Sequence, residues 1–154
     1  MKREIKFRGK DIETGKWVYG FYVRLEDSFR KPIDGKERIT HRIYTGFADS
    51  CVSRDGYDFS GDWYAIDHDT IGQFTGMRDK NGVEIYEGDI VHTEFDTPFG
   101  LAKYTGDIFY NINGFDLNIH KVEGEENEGE GVLMLGTDTS GLVVVGNIYE
   151  NKED

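Results

Sequence analysis

The sequence predicts a mainly β fold with few or no long helices, and three observations carry that reading. There are 20 glycines against 2 prolines in 154 residues and aromatics reach 14%, a composition of short strands joined by glycine turns. Apolar and polar residues alternate in short runs such as Ile5-Lys6-Phe7-Arg8 and Phe115-Asp116-Leu117-Asn118-Ile119, the period of a half-buried strand. Two Asn-Gly pairs, Asn81-Gly82 and Asn113-Gly114, separate β-rich runs and tolerate the positive φ of tight hairpin turns.

In chain order, Ile5 to Arg8 reads as a first strand and Glu13-Thr14-Gly15 as a turn. Trp17, Tyr19, Phe21 and Val23 then recur at period two, so they share one face of a second strand and, with Ile5 and Phe7, suit a hairpin. Such a ladder is able to stack nucleic-acid bases, but its expected role is core. Lys31 to Lys36 reads as a loop, Ile39 to Phe47 as a strand, and Asp49 to Asp62 as a polar excursion, which together suggest an insertion over about 25–62. Apolar character resumes at Trp63-Tyr64-Ala65-Ile66.

The best-specified stretch runs from Gly72 to Val91. In Asp79-Lys80-Asn81-Gly82 the Asp side chain is placed to bond the backbone two residues on, ahead of an Asn-Gly pair. Gly88-Asp89 punctuates the chain before the β-formers Ile90 to Phe95, a common opening for strands of small SH3-like barrels. Leu101 to Ile112 and Phe115 to Ile119 flank Asn113-Gly114 as a meander. The acidic, glycine-rich segment 123–131 predicts a flexible solvated loop; with no Gly-Lys-Ser/Thr after it and carboxylates within it, it is unsuited to phosphate. Val132 to Leu135 and Leu142 to Tyr149 suit buried strands, the second expected to close a barrel.

The run from Gly72 to Val91 resembles the signature of the YopX family, small proteins of bacteriophages and prophages. Ile5-Lys6-Phe7-Arg8-Gly9-Lys10 with Trp17-Val18-Tyr19-Gly20, and Val145-Gly146-Asn147-Ile148-Tyr149-Glu150-Asn151, extend the likeness towards both ends. The resemblance implies a mainly β, SH3-like small barrel, here a single domain over residues 1–154, and a phage or prophage context. It implies no particular activity.

Charge is distributed unevenly. The chain's formal net charge is −12, yet residues 1–42 carry 12 Lys/Arg against 7 Asp/Glu, while residues 43–154 carry 6 against 23. The basic end could bind anions, the two ends could attract one another between copies, or the excess could serve solubility. No apolar run approaches a membrane span, and Met1 to Lys6 lacks the apolar segment of a signal peptide, so the expectation is a cytoplasmic protein of the bacterial host with no membrane partner. The single cysteine, Cys51, is expected to be a buried, inert thiol.

No catalytic set is assembled by motif. There is no nucleophile elbow, HExxH or paired Cys, so no enzyme activity and no cofactor are expected. Asp67-His68-Asp69 offers metal-ligand chemistry, but three adjacent side chains diverge in an extended chain. The family pattern at this place, an acid before and after a residue that is commonly proline, implies a capped turn instead, and no metal is expected. Counting an EF-hand from Asp79 puts Glu84 at position six and Ile90 at position twelve, where Gly and Glu are needed, so calcium is excluded on that pattern.

The expected function is that of a non-enzymatic accessory protein that binds a protein partner or its own copies. One alternative is nucleic-acid binding by the basic N-terminal hairpin, through Lys2, Arg3, Lys6, Arg8 and Lys10 with the Trp17 and Tyr19 face. The other is an acidic, DNA-like surface over residues 43–154 that occupies a host nucleic-acid-binding protein. The candidate interaction residues are Lys6, Arg8, Lys10, Trp17 and Tyr19.

Overall fold

The computed structural model describes residues 4–26, 39–46, 61–97, 100–112, 114–123, 131–134 and 141–150. Cys51, most of the expected insertion over 25–62, Leu135 and nearly all of the acidic loop 123–131 lie outside the described residues. The chain is mainly β and antiparallel, as its composition predicts. It divides into two compact units, one of Ile5–Gln73 and one of Met1–Glu4 with Phe74–Asp154. Among the described residues no helix is long and apolar enough to cross a membrane.

The first unit opens on the predicted hairpin. Strand β1 (Phe7–Lys10) pairs with β2 (Trp17–Glu26) from Phe7↔Gly20 to Lys10↔Trp17. Its turn is tied by a buried carboxylate: Asp11 accepts hydrogen bonds from the Thr14 amide (3.2 Å) and hydroxyl (2.6 Å). On the other side of β2 lies β3 (Ile39–Tyr44), followed by β4 (Trp63–Ala65). The opening residues of β5 (Gly72–Arg78) flank β1, with Arg8 opposite Gly72.

Register decides which side of this sheet is core. Ile43, fully buried, lies between Tyr22 and Tyr64, and Ile66 packs where a Cβ on Gly9 would stand. Phe7 and Tyr22 join that side with ring centroids 5.5 Å apart. The expectation that Trp17, Tyr19, Phe21 and Val23 form the core is therefore overturned. They do share a face, but it is the other one, and Tyr19 and Phe21 are 49% and 50% exposed.

The second unit contains the rest of β5, which pairs with β6 (Glu84–Tyr86), and a sheet of β7 (Asp89–Thr97), β8 (Gly100–Asn111), β9 (Gly114–Glu123), β10 (Gly131–Met134) and β11 (Val143–Asn147). The sheet order is β10-β9-β8-β7-β11. Ile85, Val91, Ile108, Phe115, Leu117, Ile119, Val122 and Leu142 form its buried core. Strands β8 and β9 form the expected hairpin, but its closing pair is Asn111↔Gly114, so Gly114 opens β9, at φ 136°, and does not sit in the turn. The β8–β9 register shifts between Thr105 and Gly106, within one long strand.

Strand β11 adds to the edge of the sheet at β7; no pair links it to β10 among the described residues. Two turns pin it there. Lys80 N donates to Leu142 O (3.0 Å) and Ile148 N donates to Gly88 O (2.9 Å), so both ends of the segment are held beside β7.

The β5–β6 turn differs in one respect from its sequence reading. Asp79 N donates to Val83 O (2.8 Å) and Gly82 N to Asp79 O (2.9 Å), which makes Lys80-Asn81-Gly82 a three-residue loop with Gly82 at φ 82°. The Asp79 carboxylate takes the Asn81 amide (2.8 Å) and the Val83 amide (2.9 Å), and this favours the longer loop over a two-residue Asn-Gly turn.

Candidate interaction surface

The exposed face of the first unit's sheet follows from its register. Residues directly opposite in antiparallel strands share a face, so Arg8 stands with Tyr19 and Lys10 with Trp17. The next cross-strand rows are Phe21, Tyr44 and Trp63, then Val23, Arg42 and Ala65. The first is an aromatic row across three strands. Tyr44 and Trp63 have ring centroids 5.0 Å apart, and Trp63 is 45% exposed.

The candidate residues distribute over this surface unequally. Arg8, Lys10, Trp17 and Tyr19 are brought together; the half-buried Lys6 precedes β1. The Arg8 guanidinium lies 4.6 Å from the Trp17 ring centroid and the Lys10 ammonium 5.4 Å, both within cation–π range. Trp17 thus serves as the platform that holds the two cations, and Tyr19 and Phe21 present ring surface to solvent. Arg8 is itself buried, its Nε included.

Sequence reasoning missed Arg42, Tyr44 and Trp63 as members of the face. Arg42 and Tyr44 alternate within β3, a signal that a strand has two sides, but only pairing with Val23 and Phe21 fixes which side they take. The strand positions of this face that the structure describes carry Arg8, Lys10 and Arg42 and no carboxylate. In a chain of net charge −12 that is a marked local reversal.

Behind this sheet lies a second polar feature. Asp67 caps a 3-10 turn (His68–Thr70), its side chain accepting from the Asp69 amide (3.2 Å) and its carbonyl from the Thr70 hydroxyl (2.7 Å). Thr70 Oγ1 in turn accepts from Lys10 N at 2.8 Å. The capped turn implied by the family pattern is what forms. The premise that Asp67, His68 and Asp69 diverge is corrected, because the turn curls their ligand atoms to within 4.8 Å of one another. All three stay exposed, and His68 stands between the two carboxylates, 3.9 Å from Asp67 and 3.0 Å from Asp69. His41 stacks on His68 with centroids 5.4 Å apart and its Nδ1 meets the Tyr22 hydroxyl at 2.6 Å. Both histidines line an open groove of about 540 Å³.

These features define a mainly β protein of antiparallel sheets with a cation-and-aromatic face on its first unit. The chain belongs to the YopX family, whose model, described as YopX protein, matches residues 6–153. Comparison with curated proteins finds no match.

Proposed function

We propose that the chain is a non-enzymatic phage or prophage accessory protein of the bacterial cytoplasm, and that it works as an interaction module through the Trp17 face of its first unit. One observation carries the reading: the period-two ladder of β2 leaves Tyr19 and Phe21 half exposed, with the exposed Trp63 in the same cross-strand row beyond the buried Tyr44. Aromatic side chains supply large contact area at little cost in side-chain entropy, and they are enriched together with arginine at interaction hot spots. Arg8 and Lys10, held against Trp17, add directional charge to that apolar surface.

The test compares wild type with Tyr19→Ser/Phe21→Ser as immobilised baits in lysate of the bacterial host, with nuclease-treated and untreated samples side by side. Both side chains are half exposed, so the double variant is expected to keep its fold, with a stability change of about 1 kcal/mol or less checked by thermal denaturation. A partner, protein or nucleic acid, retained by wild type and lost by the variant is the expected result. Identical retained proteins and nucleic acid from a folded variant would remove this face from the function.

A further inference from the structure

We infer that the ligand of the Trp17 face is a single-stranded nucleic acid, an inference that rests on that face being the binding surface. Single-strand binders combine cations that follow the phosphate backbone with aromatic rings on which bases stack. Both components occur here on one sheet face. Tyr19 and Phe21 succeed one another on the same side of β2, about 7 Å apart along the strand. Trp63, 45% exposed, continues the Phe21 row two strands away, beyond the buried Tyr44, each step being about 4.8 Å.

The cations flank these rings instead of forming a separate basic patch. Arg8 lies directly across from Tyr19, Lys10 across from Trp17, and Arg42 across from Val23 in the row beside Phe21. The Arg42 Nε is buried and finds no hydrogen-bond acceptor among the described residues. A buried donor in that state is unfavourable, and rearrangement of the guanidinium onto a phosphate oxygen would satisfy it. No carboxylate occupies a described strand position of the face to repel a phosphate.

The chain's net charge of −12 does not oppose this at working salt. At about 0.15 M ionic strength exposed charges more than about 8 Å away are largely screened, so the nearby cations dominate. Duplex DNA fits less well. Its bases are already stacked on one another, and a sheet face of aromatic rings offers them nothing until they are splayed out.

The experiment is fluorescence anisotropy of the full chain with labelled oligo-dT and oligo-rU of about 15 nucleotides, and a duplex of similar length, from about 50 to about 200 mM salt. The expected result is binding of the single strands in preference to the duplex. Lys10 and Arg42, the two cations of the face that are not fully buried, predict a log–log salt slope near −1.4, or about a 7-fold loss over that range. Tyr19→Ala and Phe21→Ala are each expected to weaken binding about 10-fold with no change in melting behaviour. Arg42→Gln should flatten the salt slope.

Absence of oligonucleotide binding, alongside a protein partner that depends on Tyr19 and Phe21, would overturn the nucleic-acid assignment and leave the face as a protein interface. Equal binding of duplex and single strand, indifferent to Tyr19→Ala and Phe21→Ala, would also overturn it. If neither oligonucleotide nor protein depends on these two residues, the inference and the interaction reading fall together.

Discussion

Replacing Asp79 by Ala is expected to cost about 3 kcal/mol of stability, a large part of what a domain of this size possesses. The carboxylate is 6% exposed and receives three backbone amides: Asn81 (2.8 Å) and Val83 (2.9 Å) on Oδ1, and Val144 (3.1 Å) on Oδ2. The first two close the β5–β6 loop. The third comes from β11, 65 residues away in sequence, so one side chain joins the turn to the strand beside β7. Alanine would leave those donors without acceptors in a buried setting, which is what makes the loss larger than that of an ordinary surface hydrogen bond. Asp79→Asn keeps the shape and one acceptor oxygen, so a smaller loss is expected. Urea denaturation of the three proteins would measure the series, and an alanine variant within about 0.5 kcal/mol of wild type would contradict it.

The same residue makes stability depend on pH. Burial alone would raise the Asp79 pKa, but hydrogen bonds from the Val83, Val144 and Asn81 amides outweigh it and hold the group below its ordinary value of 3.8. The folded state therefore binds this proton less readily than the unfolded state. Its contribution is fully present above the unfolded pKa and is lost as pH falls through the lower, folded one. Denaturation midpoints of wild type and Asp79→Asn should accordingly converge in acid below the ordinary carboxylate range and separate towards neutrality. A constant separation across that range would show that the charge is not what stabilises the turn.

Gly88→Ala is the second large effect, about 3 kcal/mol, with two separable causes. The backbone there has φ 81°, a left-handed conformation that costs a residue with a Cβ about 1 to 2 kcal/mol. The added methyl would also stand 2.8 Å from Tyr149 Cε2 and 3.2 Å from its hydroxyl, forcing the ring off its position. That position is tied to the same strand end, because Tyr149 N donates to Asn147 Oδ1 (3.0 Å) while Ile148 N donates to Gly88 O. Gly15→Ala is the control: its φ is 67° and nothing lies within 4 Å of the new methyl, so only the backbone cost remains. Thermal melts should rank Gly88→Ala clearly below Gly15→Ala. A Tyr149→Ala background should recover part of the difference in a double-mutant cycle. Equal melting of the two alanine variants would mean that the ring yields without cost.

Local chemistry made much of the architecture readable. The Asx and glycine residues of Asp79 to Gly82 name a turn because the carboxylate reaches amides only a few residues away, and Gly88-Asp89 announces β7 for a similar reason. The Asp89 carboxylate accepts the Tyr86 amide at 2.8 Å. The alternation of Lys6, Arg8 and Lys10 and the period of Trp17, Tyr19 and Phe21 likewise gave the two sides of the first hairpin. What alternation leaves open is which side is covered. An aromatic ladder and a Val18/Tyr22 stripe are both plausible cores until β3 arrives with Ile43 behind Tyr22 and Ile66 packs against Gly9.

By itself, then, the sequence determined the β class, the hairpins, the capped turn at Asp67 and the membership implied by the stretch from Gly72 to Val91, all products of interactions within a few residues along the chain. Tertiary structure alone decided that Trp17, Tyr19 and Phe21 turn away from the core, that Arg42, Tyr44 and Trp63 join them, and that β11 lies beside β7, with Val144 on Asp79. Those outcomes depend on the pairing of segments far apart in sequence, and a period-two pattern carries no information about its partner or about which of its faces that partner will cover.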